Sequence, residues 1–244
     1  MDLKDKTCLI TGSSVRVGRE IALTLAQKGA KIAIHYLSNE EKANDIINQI
    51  HNFGGDALAV KGDISKKSDW IRMKNLVIHK WNSIDILVNN AAIFYKTPFF
   101  KISNKDWTQF LNVNLIGTFY GCQIIGDFMY KKKQGKIINI ADVAAENIWP
   151  SYIPYCVSKA GVIALTKGIA KALAPYVTVN AISPGTVLLA EKYDEEEEIS
   201  LINRTPLRRI GDPKDIANTV AFLIEGSDFI NGEIIKVDGG RSLT

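Results

Sequence analysis

The fold is decided by the stretch Thr11-Gly12-Ser13-Ser14-Val15-Arg16-Val17-Gly18, which reads TGSSVRVG over residues 11–18. It joins a β-rich run, Thr7–Thr11, to a helical pattern, Arg19–Lys28, that stops at Gly29. A glycine-bearing turn between a strand and a helix presents backbone amides and the positive end of the helix dipole to a phosphate group. The turn therefore predicts a nucleotide site in which the phosphates are contacted by Gly12, Ser14, Arg16, Val17 and Gly18.

Outward from this turn, short β-rich runs alternate with longer segments of helical period. The predicted strands are Thr7–Thr11, Lys31–His35, Ala57–Lys61, Ile84–Asn89, Lys136–Ile140, Thr178–Ile182 and Ile234–Val237. Further helices are predicted to begin at a capping box of Ser38 and Glu41, near Ser65 and Ser103, after Pro154, and at Asp212-Pro213. The alternation predicts an α/β fold, a single Rossmann-like doubly wound domain over residues 1–244, with a seven-stranded parallel sheet and helices on both faces.

The composition excludes several classes of protein. Hydrophobic residues make up 46% of the 244 residues and charged residues 23%, which is typical of a globular enzyme and not of a disordered chain. The formal charge of +4 is too small and too dispersed to predict nucleic-acid binding, and no apolar stretch approaches membrane-spanning length. The single, widely spaced Cys8, Cys122 and Cys156 resemble neither a disulfide framework nor a zinc site. We expect a cytoplasmic protein that binds a small molecule and no metal.

The residues after the second strand bear on the choice of cofactor. A site selective for NAD needs an acid there, which accepts a hydrogen bond from the ribose 2′-hydroxyl. The chain has His35-Tyr36-Leu37-Ser38 instead, and Arg16 supplies a cation nearby, although Glu40 follows. Position 36 is a tyrosine and not an acid, so there is no carboxylate at this position to repel a 2′-phosphate. We therefore predict NADP(H) as the cofactor, with His35, Tyr36 and Ser38 at its ribose.

Three later strand ends carry further candidate contacts to the cofactor. Asp63 and Ile64 follow the third strand, where a carboxylate can accept a hydrogen bond from the adenine amino group. Asn90 and Ala91 follow the fourth strand, and Pro184-Gly185 follows the sixth. Ligands of open α/β sheets bind beyond the carboxyl ends of the strands, so these residues are expected at one site.

The strongest local signal is Tyr155-Cys156-Val157-Ser158-Lys159. Residues four apart share one face of a helix, so an ammonium group is predicted beside a phenol. The phenol of tyrosine titrates near about 10, and a neighbouring cation favours tyrosinate, which suits proton transfer at neutral pH. Tyr155 and Lys159 are therefore the predicted catalytic pair, and both are expected to contact the cofactor as well.

The longest stretch without a secondary-structure signal runs from Pro184 to about Pro206. Loops of this length in compact domains usually have a function. The stretch also contains the acidic run Asp194–Glu198. We predict that residues 186–206 form a lid over the substrate.

Taken together, these motifs resemble the classical short-chain dehydrogenase/reductase family along the whole chain, from Thr11-Gly12 to Val237-Asp238-Gly239-Gly240. The resemblance implies hydride transfer from a nicotinamide cofactor and a homotetramer. It also implies that Tyr155 donates the proton and that Lys159 holds the nicotinamide ribose and lowers the pKa of Tyr155. Asn114 is implied to position a water molecule in the proton relay.

One departure from the family concerns Asp142, which stands where serine is usual. A carboxylate would repel an oxyanion that develops on a ketone, and it would oppose formation of tyrosinate. It suits a substrate that offers ring N–H donors or a basic nitrogen awaiting a proton. Asp142 is therefore a candidate catalytic and substrate-binding residue.

Other residues are similar to the pteridine-reductase branch of the family. Arg16, His35-Tyr36 and the segment 89–95 carry this similarity. It implies that Phe94 stacks on a flat pterin ring. Ser38 and Leu188 depart from the pattern, which often has arginine and threonine at these positions.

The sequence leaves alternative functions open. The main prediction is NADPH-dependent reduction of a dihydropterin, and the second is 3-oxoacyl-(acyl-carrier-protein) reduction or reduction of another ketone. Lys131–Lys133 could attract an acidic carrier protein, but segment 173–177 lacks the basic residue expected for a second docking patch. A third alternative is a non-catalytic NADP-binding sensor.

Overall fold

All strands of the sheet run in the same direction. The computed structural model describes residues 1–188 and 195–244. Within them the strands are β1 (Thr7–Ile10), β2 (Lys31–Tyr36), β3 (Ala57–Lys61), β4 (Ile86–Asn89), β5 (Gly135–Ile140), β6 (Val177–Pro184) and β7 (Ile234–Val237). They pair in parallel in the order β3-β2-β1-β4-β5-β6-β7, which confirms the predicted seven-stranded sheet. The strand order reverses at β1 and β4, so the binding crevice of this fold lies beyond their carboxyl ends.

Helices cover both faces of the sheet. Their bounds in the described residues are α1 (Arg16–Gln27), α2 (Glu40–Asn52), α3 (Lys67–Trp81), α4 (Asn104–Phe110), α5 (Gly117–Lys131), α6 (Ile153–Leu173), α7 (Glu195–Asn203) and α8 (Pro213–Glu225). Side chains of α1, α2 and α8 pack on one face, and side chains of α3, α5 and α6 pack on the other. Neighbouring strand residues point to opposite faces, so Ile10 lies in the first core and Leu9 in the second. The Rossmann-like layering is confirmed.

Capping residues explain where several helices begin. Ser103 and Asp212 each form a capping box at a predicted helix start. The capping box predicted for Ser38 and Glu41 is wrong, because Asn39 is the residue that caps α2 and accepts a hydrogen bond from a first-turn amide. Asparagine is as good a cap as serine, so the sequence could not separate two adjacent candidates. Strand limits differ from the predicted ones by one or two residues at most.

Two predicted segments have different bounds in the structure. The first helix begins at Arg16 and not at Arg19, and Arg16 adopts a φ of +53°, a conformation that favours glycine. The stretch 186–206 is not irregular throughout, since it contains α7, whose first turn carries four exposed glutamates. Residues 189–194 of the predicted lid lie outside the described residues. The lid itself stays a prediction.

The buried ring of His35 ties β2 to the glycine turn. Its Nδ1 accepts a hydrogen bond from the Gly12 amide at 2.9 Å, and its Nε2 lies 3.0 Å from the Gly62 carbonyl oxygen. The neutral tautomer protonated on Nε2 satisfies both contacts. Burial lowers the pKa of His35 to about 4, outweighing the Gly62 hydrogen bond, which acts in the opposite direction. The hydrogen bond from the Gly12 amide to His35 thus helps to set the conformation of the turn.

This geometry predicts a pH dependence of stability. The folded-state pKa of His35, about 4, lies below the usual 6.5, so the unfolded chain takes up a proton first as the pH falls. The stability that neutral His35 confers is complete above pH 6.5 and is lost progressively toward pH 4, by about 3 kcal/mol. Unfolding free energies measured by denaturant titration across this range should fall less steeply in His35→Gln than in wild type. The exposed His51→Gln is the matched control, and parallel curves for wild type and His35→Gln would contradict this role.

Candidate active site

The glycine turn and the end of β4 are joined by direct hydrogen bonds. The Asn90 side-chain amide donates to the backbone oxygens of Thr11 at 2.9 Å and Gly12 at 3.2 Å. The Ala91 backbone N–H donates to the Thr11 hydroxyl oxygen at 3.0 Å. The structure therefore brings together two segments that the sequence predicted at one site. Thr11 was missed as the residue that connects them, although a hydroxyl directly after a buried strand is a signal for such a role.

Glycine is required at two positions of the turn, because the backbone packs too closely there for a side chain. A Cβ on Gly18 would lie 2.3 Å from the Gly12 carbonyl oxygen, and a Cβ on Gly12 would lie 2.9 Å from the Ala91 Cα. Val15 provides no side-chain cap for α1, and the first turn of α1 has no acidic residue. The positive end of the helix dipole is thus not neutralised by these side chains, and the turn fits a pyrophosphate.

The residues beyond β2 surround the expected ribose position. Tyr36 is buried, and desolvation together with the neighbouring Glu40 carboxylate raises the pKa of its hydroxyl. Ser38 is exposed. Arg16 is also exposed, and its Nη2 donates to the Leu188 carbonyl oxygen at 3.0 Å. A cation and a carboxylate therefore both lie near the place where the cofactor's 2′ substituent is predicted.

The remaining predicted cofactor residues make hydrogen bonds with their own loops or with neighbouring elements. The Asp63 carboxylate accepts hydrogen bonds from the backbone and hydroxyl of Ser65, and the Ile64 carbonyl oxygen accepts from an indole N–H. The Gly185 amide donates to the Val237 carbonyl oxygen. This bond continues the pairing of β6, which ends at Pro184, with β7. Their contacts with a cofactor stay predictions.

Tyr155 and Asp142 form the shortest side-chain hydrogen bond of the site. Tyr155 Oη donates to Asp142 Oδ2 at 2.5 Å, while Asp142 Oδ1 accepts from the Ala144 amide at 2.8 Å. Asp142 keeps a little exposed surface but is enclosed by protein atoms, and this desolvation raises its pKa despite the bonds from Tyr155 and Ala144. Burial and the Asp142 charge raise the pKa of Tyr155 well above 10. The two groups therefore form one coupled acid–base pair.

Lys159 lies one turn along α6 from Tyr155. Its Nζ donates to the Ile140 carbonyl oxygen at 2.7 Å and lies 5.9 Å from the centre of the Tyr155 ring. Burial lowers the pKa of Lys159 to about 8, and the Asp142 carboxylate partly opposes this shift. Burial and the Asp142 charge account for the raised pKa of Tyr155, and the lowering of this pKa by Lys159 stays a prediction.

Asn114 is buried in a π-helical turn, Leu111–Ile116, between α4 and α5. Its side-chain oxygen accepts from the Ile93 amide at 2.9 Å, and its Nδ2 donates to the Ile93 carbonyl oxygen and to Ser158 Oγ, both at 3.1 Å. The Ser158 hydroxyl in turn donates to the Tyr155 carbonyl oxygen. Asn114 therefore joins the segment that carries Phe94 to the helix that carries Tyr155 and Lys159, and no local sequence pattern indicated the part played by Ser158.

An aromatic wall, Phe94, Trp149 and Tyr152, stands beside Tyr155. Phe94 stacks on Tyr152 with ring centres 4.7 Å apart and meets the Tyr155 and Trp149 rings edge to face at 4.8 and 6.3 Å. Phe94 is 49% exposed, so it is a surface of the site and not a core residue. The sequence analysis predicted Phe94 but missed Trp149 and Tyr152. Their signal is their position on either side of Pro150, in the loop between Asp142 and Tyr155.

In the described ranges no helix is long and apolar enough to cross a membrane, and no three His, Cys, Asp or Glu side chains are grouped to hold a metal ion.

Comparisons with known proteins agree on a family. A family model described as enoyl-(acyl carrier protein) reductase matches residues 13–242. Similar curated proteins include 3-oxoacyl-[acyl-carrier-protein] reductases of Staphylococcus epidermidis (33% identity, 97% of this chain and 98% of the relative) and Staphylococcus aureus (35% identity, 96% and 97%).

Two solved structures are similar along their whole length. One, from Agrobacterium tumefaciens, is described provisionally as a gluconate dehydrogenase and has a TM-score of 0.95, 33% identity, and coverage of 100% of this chain and 98% of that one. The other, from Sinorhizobium meliloti, is described provisionally as a short-chain alcohol dehydrogenase, with a TM-score of 0.93, 29% identity and the same coverage. These matches, together with the sheet order and the Tyr155–Lys159 spacing, show that the chain belongs to the short-chain dehydrogenase/reductase family of oxidoreductases.

Proposed function

We propose that the protein is an NADPH-dependent reductase of a flat, nitrogen-containing ring such as a dihydropterin. The observation that carries this proposal is the hydrogen bond from Tyr155 to Asp142. It stands at the point where a proton must reach the substrate, and it involves a carboxylate where the family usually has a neutral donor. We further propose that the protein works in the cytoplasm as a homotetramer.

The carboxylate selects among substrates through its charge. When Tyr155 donates to Asp142, its single proton is not available to a substrate atom. A substrate with a ring N–H group can donate to Asp142 in its place, and the phenol can then deliver its proton to an adjacent ring nitrogen. A ketone has no such donor, and its developing oxyanion would be repelled by the Asp142 charge.

The residues that fit a nicotinamide cofactor lie along the carboxyl edge of the sheet. A bound cofactor supplies the hydride. The glycine turn and the first turn of α1 suit its pyrophosphate, and Arg16 is the cation placed to contact a 2′-phosphate. Arg16 holds a positive φ, a strained conformation of the kind that clusters at functional sites.

Lys159 and Asn114 complete the proposed site. The ammonium of Lys159, with a pKa of about 8, can hold the nicotinamide ribose and partly balance the charge of Asp142. Asn114 fixes the backbone at Ile93 and, through Ser158, the start of α6. Its predicted role in placing a water molecule belongs to the same proposal.

Reduction of a 3-oxoacyl thioester is the second candidate function. The curated relatives named above carry that activity in their names, and they support it more directly than they support pterin reduction. Asp142 is the feature of this chain that argues against it. A non-catalytic NADP-binding sensor would need the turn but not the Tyr155, Lys159 and Asn114 arrangement.

Replacing the proposed acid should abolish most turnover. Tyr155→Phe removes the only hydroxyl of that side chain, so kcat is expected to fall by about a hundredfold or more, the scale of a positioned general acid. The dissociation constant of NADPH, measured by fluorescence titration, should barely change. Tyr130→Phe, on an exposed part of α5, is the matched control. Turnover of Tyr155→Phe close to wild type would contradict the assignment, and tight NADPH binding without turnover of any substrate in wild type would favour the sensor.

The substitution Asp142→Ser should separate the two enzyme functions. If the substrate is a pterin, loss of the carboxylate weakens dihydropterin reduction and removes the pH limb of the coupled Asp142–Tyr155 pair. If the substrate is a 3-oxoacyl thioester, the serine donor faces a developing oxyanion, where such a donor is worth about 2.7–4 kcal/mol, and activity holds or rises. Initial rates of Asp142→Ser relative to wild type, measured with 7,8-dihydropterin and with acetoacetyl thioester, therefore change in opposite directions under the two functions. The pterin proposal fails if wild type reduces only the thioester and Asp142→Ser reduces it faster.

The cofactor preference should depend on two residues of opposite charge. We expect kcat/KM to be at least about tenfold higher with NADPH than with NADH, which corresponds to about 1.4 kcal/mol, within reach of one guanidinium–phosphate contact. Arg16→Gly keeps the backbone conformation unstrained and should lower this ratio, while Glu40→Gln should raise it. Arg72→Gln, an exposed arginine of α3, is the control. Equal kcat/KM for the two cofactors in wild type would refute the preference.

A further inference from the structure

A cavity of about 840 Å³ lies next to the aromatic wall and has not been given a role above. Its lining includes Trp149 and three arginines, Arg204, Arg208 and Arg241. Arg204 and Arg208 follow α7, while Arg241 begins the short helix after β7. The Thr244 hydroxyl donates to the carbonyl oxygens of Arg204 and Arg241, which holds the two segments together.

The positive charge of this cavity is not balanced by the side chains that the structure describes. The guanidinium groups of Arg204 and Arg241 make no ion pair or side-chain hydrogen bond with side chains of residues 1–188 and 195–244, and no described side chain in the lining is acidic. Arg208 donates to a single backbone oxygen, that of Asn203. Partial burial and, secondly, the nearby charge of Arg204 lower the pKa of Arg241, so the two guanidinium groups lie close enough to interact.

The cavity shares one residue, Trp149, with the aromatic wall beside Tyr155. Trp149 lines the cavity and contacts Phe94 at a ring-centre distance of 6.3 Å, and Phe94 lies 4.8 Å from the Tyr155 ring. For one ligand to occupy both places, a substituent of a ring bound at Tyr155 must extend past this wall and into the cavity. Arginine suits the far end of such a substituent if it carries a carboxylate or a phosphate, because the guanidinium forms paired hydrogen bonds with either group.

We propose that the cavity beside Trp149 binds an anionic group, a carboxylate or a phosphate, on the end of the substrate that is remote from the reacting atom, with Arg204 and Arg241 as its ligands. The proposal rests on the proposed function, because it takes Tyr155 as the reacting centre. It narrows the substrate class to molecules with an acidic tail. A pterin would carry the carboxylates of an aminobenzoyl-glutamate group, and a thioester would carry the phosphate of a pantetheine arm.

The first test measures binding without turnover. Wild type saturated with NADPH is titrated calorimetrically with 4-aminobenzoyl-glutamate and, separately, with 4′-phosphopantetheine. We expect one of these probes to bind, and we expect Arg241→Gln and Arg204→Gln to weaken its binding about tenfold each. Arg72→Gln removes the same charge from an exposed arginine of α3 and serves as the matched control. The probe that binds identifies the source of the anion.

The second test compares matched substrate pairs. Dihydrofolate is paired with 6-methyl-7,8-dihydropterin, and acetoacetyl coenzyme A with the acetoacetyl thioester of N-acetylcysteamine. In Arg241→Gln, the KM of the acidic member should rise about tenfold relative to that of the truncated member, a change that a general loss of folding would not produce. The two pairs distinguish the carboxylate from the phosphate.

Three results would overturn the proposal. Failure of both anionic probes to bind wild type refutes it, whatever the enzyme reduces. Equal changes in KM for acidic and truncated substrates refute it as well. The third is an unchanged KM together with a smaller assembly of Arg204→Gln/Arg241→Gln in light scattering, which would assign the arginines to contacts between copies of the chain. A different result would separate the two proposals: if a probe binds and its binding requires Arg241, but no member of the two substrate pairs is reduced, the proposed function is refuted and the anion site is retained.

Discussion

A hydrogen bond of 2.5 Å between Tyr155 and Asp142 connects the loop after β5 to the first turn of α6. Both groups are withdrawn from water, and neither can change its protonation without affecting the other. The pKa of Lys159 responds to the same carboxylate. Trp149 and Tyr152 of the aromatic wall lie in the loop that this bond closes, and Phe94 packs against them from the segment after β4. The protonation of Tyr155, the pKa of Lys159 and the position of the aromatic wall therefore all depend on the hydrogen bond between Tyr155 and Asp142.

The parallel sheet explains why this pair meets the glycine turn. Parallel strands need crossover connections, so all their carboxyl ends lie along one edge of the sheet. β1 and β4 bring the turn and Asn90 to that edge, and β5 brings Asp142. The Asn90 amide donates hydrogen bonds to the turn and the His35 ring accepts one from it, and these bonds hold the turn in place. The proposed cofactor and flat substrate would meet at this edge, because these separate loops share it.

The parts of the site that the sequence predicts are local in the chain. The glycine turn follows from two glycines between a strand and a helix, and the Tyr155–Lys159 pair follows from helical spacing. Other features depend on contacts between distant segments, and no local pattern encodes them. The ring of His35 faces Gly12 from another strand, and burial together with the Asp142 charge raises the pKa of Tyr155. The charged cavity is a further case, because Arg204 and Arg241 are brought together only by the fold.

The protonation state of Tyr155 tests the proposed acid–base pair most directly. Tyrosinate can be followed by the ultraviolet difference spectrum between wild type and Tyr155→Phe as the pH is raised from 6 to 9, first without ligand and then with NADPH. If the Asp142 carboxylate keeps the phenol of Tyr155 protonated, no Tyr155 tyrosinate forms in the ligand-free protein across this range. In Asp142→Ser, Tyr155 should then titrate at a lower pH than in wild type. Formation of Tyr155 tyrosinate near neutral pH in the ligand-free wild type would contradict the coupling of Tyr155 to Asp142 on which the proposed function rests.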